Sequence, residues 1–122
     1  MSEIRATTIS DLAGTGPATL TGQYAAKAWV NFNGTGTVAI RASGNVSSIT
    51  DNGTGDYTVN FTTAFADANY SVAALAGYNN YISAIVRLDD SPAPSTTSLK
   101  LECSEGTGSL ADTFQFNVTI TR

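Results

Sequence analysis

The sequence predicts an all-β protein: an antiparallel β-sandwich, jelly-roll-like, of about seven or eight strands with an extended N-terminal arm. Three observations lead there. Apolar and polar residues alternate with period 2 through most of the chain, as in "TFQFNVTITR". Asn-Gly and Gly-Thr-Gly units separate those stretches, with "NGTG" at 33–36 and 52–55. The composition is rich in hydroxyls and poor in charge: Thr, Ser and Asn supply 39 of 122 residues, and charged residues are 13%. Thr fits a pleated surface, while Ser and Asn favour turns.

Residues 1–26 read as the arm, and 27–122 as the sandwich domain. "MSEIRATTISDLAGTGPATLTGQYAA" scatters Ile4, Ile9, Leu12 and Leu20 without period 2 or 3.6, and Gly14, Gly16 and Pro17 interrupt any regular element. Such a segment is expected to lie extended against a neighbouring subunit.

From Lys27 onward, strands follow in order. "KAWVNF" sets Ala28, Val30 and Phe32 on one face and Trp29 on the other. "TVAIRA" groups Val38 with Ile40, and "DYTVNFT" groups Tyr57, Val59 and Phe61. "TTAFADANY" has the Ala-rich spacing of a single turn. "NYSVAAL" and "YISAIVRL" come next, the latter aligning Ile82, Ala84, Val86 and Leu88. "TSLKLEC" aligns Leu99, Leu101 and Cys103, which makes the lone Cys a buried small hydrophobe. The last strand aligns Phe114, Phe116, Val118 and Ile120.

The glycines are turns rather than a phosphate loop. A phosphate loop needs a helix after the glycines and a Lys or Ser/Thr at fixed offset. Each "NGTG" instead leads into a β-branched strand, and Asn-Gly favours positive φ at adjacent positions of a hairpin turn.

Catalytic chemistry is not expected. The chain has no His, and no "GxSxG" elbow accompanies its single Cys. Paired carboxylates are the remaining route to hydrolysis: Asp51 with Asp56, Asp89 with Asp90, Glu102 with Glu105. All fall in or beside turns, where Asp serves the backbone. "TDNGTGD" and "LDDSPAPS" offer oxygen ligands for calcium but lack the spacing of a known calcium loop, so no metal and no cofactor is expected. A net charge of −4 without a Lys/Arg run argues against nucleic acid, and no apolar stretch approaches the roughly 20 residues of a membrane helix.

Two surface candidates remain. In "GYNNYIS", Tyr78, Asn79, Asn80 and Tyr81 pair flat rings with amides, chemistry suited to a host glycan or protein. Trp29, with Ile4, Ile9, Leu12 and Leu20 of the arm, is the candidate assembly contact.

"KAWVNFNGTGTVAIRASGNVSSITDNGTGDYTVNFTTAFADANYSV", 27–72, resembles a module of tailed-bacteriophage virion proteins, and "SEIRATTISDLAGTGPATLTGQYAAK" resembles the lead-in that precedes it there. The resemblance implies a non-enzymatic virion surface protein; "MSEIRATTIS" holds no apolar core segment, so no signal peptide is expected and synthesis would be in the host cytoplasm. Its partners would be itself, as a homotrimer, and other virion proteins. A tail-fibre or adhesin-like domain aiding host attachment is the first expectation. A capsid decoration protein is the alternative, since shaft repeats and coiled-coil heptads are missing, and a carbohydrate-binding module is third.

Overall fold

A computed structural model of the chain describes residues 24–77 and 85–122. The described residues form eight strands: β1 (Ala26–Asn33), β2 (Ala39–Gly44), β3 (Val46–Gly53), β4 (Asp56–Phe61), β5 (Ser71–Gly77), β6 (Ile85–Leu88), β7 (Ser98–Ser104) and β8 (Gln115–Thr121). They form two four-stranded antiparallel sheets, ordered β2-β1-β8-β5 and β3-β4-β7-β6. The β-sandwich expected from the alternation is thus the observed architecture.

The core lies between the sheets and comes mainly from the two central strands of each. Ala28, Val30 and Phe32 of β1 face Phe116, Val118 and Ile120 of β8 along one sheet, with Tyr57, Val59, Phe61, Leu99, Leu101 and Cys103 opposite, all buried. Every fully buried side chain of this size contributes about 1.5–3 kcal/mol of transfer free energy. Phe32 and Phe116 stack at 5.0 Å between centroids, and Tyr57 meets both edge-on at 5.2 and 5.8 Å. A second aromatic group, Phe61, Phe65 and Tyr70, closes one end of the sandwich. The segment "TTAFADANY" contributes to it through bends, with no helix.

Both "NGTG" units join strands, β1 to β2 and β3 to β4, as expected. The positive φ angles, however, fall on Gly36, Gly53 and Gly55, not on Asn33 or Asn52. The asparagines act through their side chains instead. Asn33 Nδ2 donates to the Thr35 carbonyl at 2.9 Å, and Asn52 Nδ2 donates to Thr58 Oγ1 at 2.9 Å. The chain passes from one sheet to the other through a single residue, Asn45, at φ 55° between β2 and β3. Its amide donates to the Lys27 and Thr63 carbonyls at 3.1 Å and accepts from the Thr63 N–H at 2.7 Å, which explains an Asn in a left-handed conformation.

Two alternation-based expectations are corrected. Phe114 lies outside the core at 45% exposure, because β8 begins one residue later and the chain has not yet entered the sheet. Leu88, expected to be inward with Val86, is half-exposed at the end of the short edge strand β6. Ile82 and Ala84 lie outside the described residues.

Candidate functional site

The two sheets present outer faces of opposite chemistry. On the β3-β4-β7-β6 sheet, the cross-strand rows are polar or charged: Arg87, Glu102 and Asp56 in one, Lys100, Thr58 and Thr50 in the next, Ser98, Asn60 and Ser48 in a third. Its side chains mostly satisfy one another. Asn60 Nδ2 donates to Ser48 Oγ at 3.1 Å and to Thr50 Oγ1 at 2.9 Å.

Lys100 organises the charges of that face. Its ammonium lies 2.7 Å from Asp89 Oδ2 and 3.1 Å from Asp56 Oδ2, and Arg87 is 3.5 Å from Glu102. The hydrogen bond from Lys100 holds the Asp89 carboxyl below its ordinary range, and the two carboxylates raise the Lys100 ammonium. The carboxylates considered as candidate pairs near turns are regrouped, one taken from each: Asp56, Asp89 and Glu102 come together, with oxygens within 4.8 Å. The two stretches noted for calcium chemistry therefore meet, and a lysine supplies the cation between them.

The outer face of the β2-β1-β8-β5 sheet is different. Its central rows run Gly44, Trp29, Thr119, Ala73 and then Ala42, Asn31, Asn117, Leu75, without one ionisable side chain. Trp29 is 43% exposed and Leu75 69%. Asn31 and Asn117 join their amides across β1 and β8 at the centre.

Glycines hold two aromatic rings in place on this face. The Trp29 indole covers its cross-strand partner Gly44, where a Cβ would come within 2.8 Å of the ring Cδ1. Phe114 rests on Gly77, where a Cβ would lie 3.2 Å from the ring tip. This is aromatic cover of a strand glycine, which recovers contact that a residue without a side chain forgoes. Arg41 stands at a β-bulge opposite Asn31 and Phe32. Its guanidinium donates to the Phe32 carbonyl at 3.1 Å, to Asn31 Oδ1 and to the Phe114 carbonyl.

Trp29, singled out from sequence, therefore sits on this face. Ile4, Ile9, Leu12 and Leu20 lie outside the described residues, as do Tyr78, Asn79, Asn80 and Tyr81. The sequence reading missed Leu75, Gly44, Gly77 and Phe114 as parts of one surface. The exposed polar phase of β1 and β8 was the available signal for the face, but the glycine seats depend on register.

Among the described residues, clefts flank the sandwich. One of about 660 Å³ at the end of the sheets is lined by Lys27, Asn45, Thr63, Phe65 and Arg122. Another, about 550 Å³, opens between the edges β5 and β6 over Val72, Val86, Leu88 and Leu101. No helix among the described residues is long and apolar enough to cross a membrane. Comparison of the chain with protein-family models, with curated proteins and with solved structures gives no match.

Proposed function

We propose that this chain is a non-enzymatic structural protein of a tailed-bacteriophage virion, a self-assembling tail-fibre or adhesin-like surface domain that contributes to host attachment. The observation that carries the reading is the contrast between the two sheet faces. One is closed by its own hydrogen bonds and ion pairs, and the other offers Trp29, Leu75 and Phe114 around an uncharged amide centre. Protein interfaces are depleted in charge and enriched in aromatics at their centres. The resemblance of residues 2–72 to virion proteins supplies the setting, and a homotrimer is the assembly it implies.

Capsid decoration is the second reading, since the same aromatic and aliphatic side chains of Trp29 and Leu75 would serve equally to clamp shell subunits. Imaging of the intact particle with this chain located tests both. A position on the tail, in few copies, supports the fibre reading. A lattice of copies over the shell supports decoration, and a particle without the chain refutes both.

A further inference from the structure

We infer that the outer face of the β2-β1-β8-β5 sheet is an assembly surface whose occupant is the N-terminal segment, residues 1–23, of a second copy of this chain. The inference rests on the self-assembling reading above and names its surface.

The face itself points to a weakly charged, apolar partner. The rows around Trp29 and Leu75 hold no carboxylate and no ammonium, and Arg41 at the rim already donates to Asn31, Phe32 and Phe114. Away from Arg41 and from exposed Lys27 at the start of β1, a charged partner would find nothing to pair with along these rows, and its desolvation would cost free energy.

The N-terminal segment matches that description. Residues 1–23 carry Ile4, Ile9, Leu12 and Leu20, and their ionisable side chains are confined to Glu3, Arg5 and Asp11. The buried positions of the sandwich are already filled by its own strands and loops, with Phe32, Val59 and Phe116 at 0% exposure. The central rows of this face, which hold no ionisable side chain, suit such apolar side chains. Length is sufficient: 23 extended residues reach roughly 70–80 Å, against about 27 Å for an eight-residue strand such as β1.

The point of attachment favours a neighbour's face over the chain's own. The segment joins β1, the strand that carries Trp29, through Tyr24 and Ala25. Tyr24 is 92% exposed, and Ala25, Ala26 and Lys27 are also exposed. The chain's own sandwich thus gives no cover where the segment meets it. Exchange of terminal segments around a symmetry axis buries such side chains once per copy.

Trp29 is the sole tryptophan, so its emission reports this face directly. The full-length chain should show an emission maximum that moves to shorter wavelength as concentration rises, in step with a sedimenting mass above 12.6 kDa. Leu75→Lys on the face and Leu12→Asp in the segment should each abolish both changes while the far-ultraviolet β signal persists. A monomer whose Trp29 emission is blue-shifted at every concentration would overturn the inference, because the segment would then cover its own face. So would a monomer with solvent-exposed Trp29 throughout. Oligomers that survive Leu12→Asp but not Leu75→Lys would also overturn it, showing two faces packed without the segment. None of these outcomes bears on whether the chain is found in a particle, so the two readings fail separately.

Discussion

The Tyr57 hydroxyl lies 2.9 Å from Asp112 Oδ1 and 3.0 Å from the Gly34 carbonyl, and the same carboxylate oxygen accepts the Gly55 N–H at 2.8 Å. Asp112, on the approach to β8, and the Tyr57 hydroxyl together tie both NGTG turns to the core aromatic trio. The Gly34 N–H adds a bond to the Thr113 carbonyl at 2.8 Å. Tyr57→Phe removes the hydroxyl and leaves Asp112 short of a donor in a half-buried site. A hydrogen bond to a charged group is worth about 1.5–3 kcal/mol, so the urea midpoint should fall by a corresponding amount with unchanged slope. Asp112→Ala, which also releases Gly55, should cost more. Equal stability of Tyr57→Phe and the parent chain would show the tie to be idle.

Alkaline pH should loosen the fold before it affects the surface. Burial raises the Cys103 thiol from 9.0 to about 11, and burial followed by the Asp112 hydrogen bond raises the Tyr57 phenol above its usual 10.0. In the unfolded chain both groups ionise earlier than in the folded one. Their contribution is thus complete below pH about 9 and is lost as pH climbs through about 11 and beyond. For Cys103 the loss is on the order of 2 kcal/mol. Denaturant midpoints should be level from pH 7 to about 9 and fall above it, with a shallower fall in Cys103→Ala. The thiol, 0% exposed, should resist labelling until the protein unfolds. A flat profile to pH 11 would contradict the burial of both groups.

The Lys100–Asp89 pair should stabilise its face only while Asp89 is ionised. The lysine hydrogen bond lowers the folded carboxyl below its value of 3.8, so the contribution is present above that pH and is lost as pH falls through the depressed value. Lys100→Ala should therefore melt at a lower temperature than the parent at pH 7, with the gap closing in strong acid. Because the ammonium occupies the space between Asp56 and Asp89, millimolar calcium should leave the parent melting temperature unchanged. A clear rise, reversed by a chelator, would mean that the cation displaces the lysine.

The inward phase of the central strands was legible in the sequence because a buried face imposes period 2 without exception. Val30 and Phe32, Val59 and Phe61, Leu99 and Leu101, Val118 and Ile120 all fall where alternation puts them. Alternation fails at element ends, as Phe114 and Leu88 show, because a residue beyond the ladder is free to turn outward. Register was not legible. Continued from Asn33↔Ala39 and Phe32↔Ile40, the hairpin would set Trp29 opposite Ser43. The bulge at Arg41 moves the pairing by one and sets it opposite Gly44 instead. Nothing in "TVAIRASG" announces that bulge, so the glycine seat beneath Trp29 needed the backbone. The cluster of Asp56, Asp89 and Glu102 was hidden for a similar reason: β4, β7 and the end of β6 bring it together across long sequence separations.

Two glycine substitutions separate a movable obstacle from a fixed one. The atoms nearest a Cβ at Gly44 all belong to the Trp29 indole, a half-exposed ring that can swing into solvent. Gly44→Ala should therefore change stability by less than about 1 kcal/mol, the gain from replacing a strand glycine offsetting the lost contact. The Trp29 emission of the dilute protein should move to longer wavelength. At Gly55 the φ is +66°, and a Cβ would lie 2.7 Å from the Ala111 nitrogen and 2.9 Å from its carbonyl oxygen, both backbone atoms held in the β7–β8 connection. Left-handed strain of about 1–2 kcal/mol adds there to overpacking of about 1–3 kcal/mol. Gly55→Ala should thus cost several times what Gly44→Ala does in a chemical melt. If the two cost the same, the backbone around Gly55 yields as easily as a surface ring, and the tight union of Gly55, Cys103 and Ala111 is not what fixes the second turn.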